Sequence, residues 1–412
     1  MKPVVVETPA KVQLQALPPL ALYVHIPWCV RKCPYCDFNS HERGGALPEN
    51  EYVARLMLDL ESLLPSVWGR RVVSVFIGGG TPSLFSPQAI EALLSGVRAR
   101  LPLEPGAEVT LEANPGTVEA ARFRGFRDAG VNRISVGVQS FEPRMLAALG
   151  RIHGAEEARR AIEAAQQSCE NVNIDLMYGL PGQTLAMARA DIEEAAASGV
   201  PHVSAYQLTI EPNTVFWRRP PPLPEHDECA DMQVMIEDAL GGRGFEHYET
   251  SAFARTGRRC QHNLNYWRFG DYLGVGAGAH GKISFPDRVT RHEQARQPAE
   301  YLEGASRKDS TVPARELPFE FMLNALRLME GFETALFSER TGLPLAAIAV
   351  PLEQAAGRGL IEPDPRRVRP SARGQRFLNE LLTLFLSDGT PGRAPDGRGG
   401  GRVIRISSPA GP

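Results

Sequence analysis

Between residues 20 and about 210 the sequence alternates short β-rich runs with amphipathic helical stretches, a rhythm few folds can satisfy. The runs are ALYVHI (21–26), VVSVFI (72–77), EVTLEA (108–113), RISVGV (133–138), VNIDLM (172–177) and HVSAYQL (202–208). Most are nearly unbroken in apolar residues and rich in Val and Ile, as parallel strands covered on both faces are. The stretch SPQAIEALLSGVRARL shows the helical counterpart. Ser86 is placed to cap, Pro87 suits the first helical position, and Ile90, Leu93, Leu94, Val97 and Leu101 share one face. Val53, Leu56, Met57, Leu60 and Leu64 align in the same way. Six successive β/α units predict an α/β fold, either a parallel barrel or a doubly wound sheet; periodicity alone does not choose.

The rhythm has clear limits. Residues 1–19 lack an apolar period, carry four prolines and are expected to be a disordered N-terminal segment. The β/α region is assigned to 20–215. RRPPPLPEHDE (218–228) is a connector that cannot be helical, and it opens an extension over 216–300 that contains the Gly-rich YLGVGAGAHGK (272–282). Residues 301–386 read as a small, mainly helical, winged-helix-like domain with a hairpin between Leu360 and Val368, expected as a lid or platform on the mouth of the β/α unit. The tail 387–412 is Gly-, Pro- and Arg-biased and is predicted to be disordered.

Charge and cysteine usage narrow the setting. The net charge is −3, and 351–380 holds six Arg against three Glu and one Asp, so no nucleic-acid partner is expected. Val4–Val6 is too short for a signal core, and LPLAAIAVPL (343–352) is broken by proline and too short to span a bilayer. A cytoplasmic protein with at most peripheral membrane contact is expected. Six cysteines, three of them clustered, point to a reducing compartment and bound metal rather than disulfides.

The clustered thiols are Cys29, Cys33 and Cys36 in HIPWCVRKCPYCDFNS. At six Cys in 412 residues, others at both +4 and +7 arise by chance roughly 2 times in 10,000. Buried structural thiols or a zinc site completed by His25 or His41 are alternatives. A cubane iron–sulfur cluster fits better, because three thiolates leave one iron free to bind something other than protein. The loop also follows a strand, where a barrel places its active site.

The pattern C-x3-C-x2-C after a first strand, with Tyr35 before the last Cys, resembles the radical S-adenosylmethionine (SAM) superfamily. YVHIPWCVRKCPYCDFNSH is similar to the oxygen-independent coproporphyrinogen III oxidase-like branch, and within it to the haem-chaperone (HemW) group. The resemblance implies a partial (β/α)6 TIM-type barrel, a [4Fe–4S] cluster on the three cysteines, and SAM on the open iron. It matches Tyr23, Gly79 and Glu112 to contacts with that SAM. It matches Tyr35, Gly80, Thr81, Gln139, Arg151 and Asp175 to a second SAM position. Independently of family, Gly78–Pro82, Glu112, Gln139 and Asp175 sit at or near the ends of successive strands, where binding groups collect.

One departure separates the branch members. Oxidases of this type carry a fourth Cys two residues after the third, and here that position is Phe38. The HemW group carries H-N-x-x-Y-W, matched by His262, Asn263, Tyr266 and Trp267. Imidazole is a common axial ligand of haem iron and aromatics pack on a porphyrin, so the resemblance implies haem there, with His280 a lesser candidate and Cys260 structural. The expected function is a haem chaperone that delivers haem to apo-haemoproteins such as respiratory enzymes, with an electron donor for the cluster. The alternatives are coproporphyrinogen oxidative decarboxylation and a cluster-based DNA-binding regulator.

Overall fold

The computed structural model describes residues 11–116 and 120–386. All six runs are strands: β1 (Leu20–Ile26), β2 (Val72–Gly79), β3 (Leu103–Ala113), β4 (Arg133–Gln139), β5 (Asn171–Tyr178) and β6 (His202–Gln207). Each lies parallel to the next in chain order. Helices α1 (Glu49–Leu63), α2 (Pro87–Arg100), α3 (Ala120–Ala129), α4 (Ala155–Ser168) and α5 (Leu185–Ala197) return the chain between them, and α6 (His226–Gly241) follows β6. In α2 the Ser86 hydroxyl accepts from the Ala89 amide at 3.2 Å, and Ile90, Leu93, Leu94 and Val97 are fully buried. Each such side chain contributes roughly 1.5–3 kcal/mol.

Two strands, β7 (Glu246–Glu249) and β8 (Ala252–Ala254), then extend the sheet antiparallel beyond β6. On the other side β9 (Asp271–Val275) lies parallel to β1, and β10 (His280–Phe285), β11 (Arg288–Glu293) and β12 (Lys308–Thr311) continue antiparallel. The described sheet has twelve strands in the order β12-β11-β10-β9-β1-β2-β3-β4-β5-β6-β8-β7.

The seventh parallel strand, β9, lies inside the segment that the sequence marks only as Gly-rich. It is buried throughout and held from outside its own run. The Asp271 carboxylate pairs with Lys282 Nζ at 2.8 Å and Arg70 at 2.9 Å, all three side chains being largely buried. A buried carboxylate is tolerable only with such partners.

The two faces of the sheet differ. Leu22, Val24, Ile26, Val75, Ile77, Leu111 and Ile134 meet the helices in the main core. The opposite face carries Ser74, Glu108, Thr110, Arg133, Ser135, Asn173 and His202, all buried. Much of this polar inner face is paired internally. Asn173 donates to Ser135 at 2.7 Å and Asp175 at 2.8 Å, and His202 bonds Tyr248 at 2.9 Å.

Beyond β12, α7 (Leu317–Ala325) and the helices 334–341, 349–357, 372–376 and 378–383 build a second apolar core with Phe321, Phe332, Phe337 and Leu381. This region is not a lid on the mouth. Phe269 and Val289 join its core, Leu328 bridges Glu249, and the Arg327 guanidinium lies over Trp267 at 4.3 Å. These contacts lie towards the end of the sheet where the parallel strands begin. The expected hairpin is present and runs slightly further: Ile361 bridges Pro370, the Glu362 amide donates to the Arg369 carbonyl at 2.9 Å, and Arg367–Val368 also pairs with Phe332–Glu333.

Residues 11–19 are not loose. Val12 and Leu14 are buried in the second core, and the Leu14 amide donates to the Pro286 carbonyl at 2.9 Å. Alternation over two residues is too short to register as a period. The disorder expected for 1–10 and 387–412 lies outside the described residues.

Candidate cofactor site

The three thiols occupy one loop after β1. Each has its own side-chain neighbour. Thr81 Oγ1 donates to Cys29 Sγ at 3.6 Å, Arg151 Nη1 donates to Cys33 Sγ at 3.6 Å, and Cys36 Sγ lies 3.5 Å from Ser40 Oγ. All six cysteines are free. Burial pushes the Cys29 thiol up to about 11 and raises Cys36 as well. Without metal, Cys29 and Cys36 resist ionisation; a bound cation reverses that balance.

The donor set fits a cluster better than zinc. His25 is buried with both ring nitrogens engaged, Nδ1 with Tyr23 OH and Nε2 with the Asn39 carbonyl, each at 2.9 Å. His41 Nε2 lies 3.3 Å from Asn39 Oδ1. Among the described residues no three His, Cys, Asp or Glu side chains converge on one ion. Zinc needs that convergence, whereas a cubane takes each thiolate on a separate iron.

His25 and Asn39 fix the loop. Asn39 Nδ2 donates to the Ala277 and Arg296 carbonyls at 2.9 and 2.8 Å, and Tyr52 OH donates to the His25 carbonyl at 2.8 Å. Gly278 is glycine because a Cβ there would lie 2.3 Å from Asn39 Nδ2. The Gly-rich segment thus serves as the loop's clamp.

The strand ends gather beside the thiols. Gly79 has φ +119°, and a Cβ there would lie 2.6 Å from the His25 ring. Its amide donates to Glu112 Oε2 at 3.0 Å. Gly80 packs on the Trp28 carbonyl, 2.6 Å from where its Cβ would be. Gln139 ends β4 at φ 71°, a left-handed conformation that costs a non-glycine residue energy and recurs at functional sites.

Thr81 and Arg151 are linked through Asn114. The Asn114 amide donates to Thr81 Oγ1 at 2.8 Å, and Arg151 Nη2 donates to Asn114 Oδ1 at 2.6 Å and the Gly137 carbonyl at 2.8 Å. Tyr35 lies against Phe216, ring centroids 6.4 Å apart, and burial raises its hydroxyl pKa. Asn114, Ser40, Asn39 and His25 are the contacts that sequence reasoning did not select as site residues. Their only signal is adjacency to selected motifs, in EANPG, CDFNSH and YVHIP.

Glu112 and Asp175 form a half-buried acidic pair. Burial, then Asp175, pushes the Glu112 carboxyl up to about 8. Burial also raises Asp175, although Ser135 Oγ donates to it at 2.7 Å. Tyr23 is buried, stacked against Phe76 at 6.3 Å.

The H-N-x-x-Y-W residues adjoin this site through Tyr23, whose ring lies 6.5 Å from that of His262. They form the helix Gln261–Trp267, whose start is held by Glu108: Cys260 Sγ and the Gln261 and His262 amides donate to that carboxylate at 3.4, 3.1 and 3.2 Å. His262, Asn263, Tyr266 and Trp267 are all buried. His262 is 1% exposed; its Nδ1 lies 3.0 Å from Ser74 Oγ, and Phe76 and Tyr266 flank the ring, each at 5.0 Å. Burial, then Arg133, lowers its pKa to about 3. The imidazole is a neutral buried group, and its Nε2 has no hydrogen-bond partner among the described residues. Phe38, at the position of the missing fourth Cys, is 39% exposed on the cysteine loop.

Comparison with known proteins identifies the family. Residues 23–195 match the radical SAM superfamily model and 312–377 the HemN C-terminal domain model. The solved coproporphyrinogen III oxidase (HemN) from Escherichia coli, a radical SAM enzyme, superposes with a TM-score of 0.75 over 90% of each chain at 21% identity, a likeness of fold. The Heme chaperone HemW of Escherichia coli is 50% identical over 377 residues, 90% of this chain and 99% of that protein. That of Haemophilus influenzae is 47% identical over 379 residues, with the same coverage. The radical SAM family's cofactors are a [4Fe–4S] cluster and SAM, and the thiol loop fits the former. With the cysteine loop, the strand-end cradle and this near-full-length identity in hand, the chain belongs to the HemW family of radical SAM proteins.

Proposed function

We propose that this protein is a haem chaperone: it binds haem and hands it to apo-haemoproteins, respiratory enzymes among them, in the cytoplasm. Cys29, Cys33 and Cys36 hold a [4Fe–4S] cluster in this reading, and an electron donor reduces it. When bound, the cluster and SAM together supply one-electron chemistry at the sulfonium. The chain's own residues bind and orient. Tyr23, Gly79 and Glu112 border the SAM at the cluster, and Gly80, Thr81, Gln139, Arg151, Asp175 and Tyr35 border a second position.

The acidic pair supports a cationic ligand. Among the described residues, neither Glu112 nor Asp175 has a Lys, Arg or His nitrogen within 4.0 Å. Two neighbouring half-buried carboxyls, countered only at longer range by Arg133, are suited to receive an ammonium or sulfonium group. No described helix is long and apolar enough to cross a membrane, so delivery to membrane enzymes would be by surface contact.

The haem reading rests on the near-full-length identity to relatives named as haem chaperones. The oxidase reading has only fold likeness behind it, and Phe38 stands where that chemistry needs a thiol. A paired assay separates them. After anaerobic reconstitution, haem titration is expected to saturate and coproporphyrinogen with SAM is expected to remain unconverted. Protoporphyrinogen formed at enzyme-like rates would defeat the chaperone reading.

A further inference from the structure

The loop that carries the thiols is closed at its base and laced across its middle. At the base Trp28–Cys29 pairs with His41–Glu42, the His41 amide donates to the Pro27 carbonyl at 2.7 Å, and the Arg43 amide donates to the Cys29 carbonyl at 2.9 Å. Across the middle, three bonds come from one residue. The Lys32 amide donates to Glu42 Oε1 at 2.9 Å, and its Nζ donates to the Phe38 and Ser40 carbonyls, each at 3.1 Å. Lys32 lies between Cys29 and Cys33, and both of these carbonyls follow Cys36. A single side chain therefore joins the two halves of the loop.

The same contacts place a positive charge beside one thiol. Ser40 is the shared partner: its carbonyl accepts from Lys32 Nζ, and its hydroxyl lies 3.5 Å from Cys36 Sγ. Among the described residues no carboxylate oxygen lies within 4.0 Å of Lys32 Nζ, so its charge is not cancelled at short range. Cys33 has a cation of its own in Arg151, whereas Cys29 has the Thr81 hydroxyl.

We propose that Lys32 is a positioning residue for the cluster, bracing Cys36 against the other two thiols and setting the charge that the cluster feels. An ammonium that spans the loop holds its two halves in register before any metal arrives, which lowers the ordering cost of assembly. Its bonds to the carbonyls are charge-assisted and so stronger than neutral ones. Three thiolates on iron add negative charge to the loop, and an uncancelled cation beside Cys36 favours the reduced, more negative cluster. Lys32 thus does for Cys36 what Arg151 does for Cys33. The inference rests on reading the thiol loop as an iron–sulfur site and adds a residue that both shapes it and tunes it.

The test compares the parent with Lys32→Met, which keeps an unbranched apolar stem but loses donor and charge, and with Lys32→Arg, which keeps both. Lys32 is exposed, so the β/α unit is expected to unfold thermally as in the parent. In the metal-free full chain, hydrogen exchange at the Ser40, His41 and Arg43 amides is expected to be at least tenfold faster in Lys32→Met. After anaerobic reconstitution, the cluster's reduction equilibrium is expected to move roughly three- to tenfold against reduction, about 30–60 mV more negative in an EPR-monitored titration. Lys32→Arg is expected to restore both. Parental exchange in Lys32→Met overturns the brace, and a parental midpoint overturns the electrostatic role; either result ends the proposal. A Lys32→Arg protein that behaves like Lys32→Met overturns it as well. A parent that takes up no iron and sulfide defeats the cluster reading instead, while exchange in the metal-free chain still tests the brace.

Discussion

Glu112 offers a direct check on the electrostatics of the cradle. Its carboxyl titrates at about 8 in the folded, cofactor-free protein against an ordinary 4.5, because burial and then Asp175 disfavour the anion. Between those values the folded chain binds more protons than the unfolded chain, so stability falls as pH rises through the window and levels off above about 8. At about 1.36 kcal/mol per pH unit the ceiling on this loss is about 5 kcal/mol. Residual solvent access and relaxation around a half-buried group bring the expected value to about 2 kcal/mol. Glu112→Gln keeps an acceptor for the Gly79 amide, now 3.0 Å from Oε2, and removes the titration. Urea unfolding of parent and variant, both without cluster, is expected to give similar stabilities at pH 5 and a variant about 2 kcal/mol more stable at pH 8.5. A gap that does not change with pH, or one that favours the parent at high pH, refutes the reasoning. The same physics gives the site its selectivity, since an anion disfavoured when alone becomes favourable beside a bound cation.

Three further outcomes are expected. Gly79→Ala forces a side chain into a left-handed conformation and onto the His25 ring, and is expected to cost roughly 2–4 kcal/mol and to lower the iron content of reconstituted protein; normal iron loading would contradict this. Glu108→Ala leaves the start of the Gln261–Trp267 helix unsatisfied and Arg133 without its acid at 4.0 Å, for roughly 3–5 kcal/mol lost in thermal or denaturant unfolding, with Glu108→Gln milder because its amide oxygen still accepts. Arg151→Met removes the charged donor from Cys33 and is expected to move the cluster's reduction midpoint to more negative values in an EPR-monitored titration, with Thr81→Val giving a smaller shift in the same direction; unchanged midpoints would show that these contacts do not reach the cluster.

Much of the fold is written locally. A run such as VVSVFI has a period and a β-branched content that hold wherever it is placed, and Ser86 with Pro87 starts a helix by satisfying its own first turn. The three thiols are close in sequence, so their proximity survives any packing. The sequence by itself therefore determined the six parallel strands, the helices that cover them and the cysteine loop. What it did not determine depends on residues far apart along the chain. Asp271–Val275 becomes a strand because Arg70 and Lys282 neutralise its acid from outside the run. Asn39 finds the Ala277 carbonyl 238 positions away, and Asn114 couples Thr81 to Arg151. His262 has a side chain suited to metal, and only the tertiary fold sets its neighbours, Ser74, Phe76 and Tyr23. A residue's type states which bonds it is able to make; only the packed chain decides which partners and how much water surround it, because burial and long-range pairing are properties of the whole arrangement.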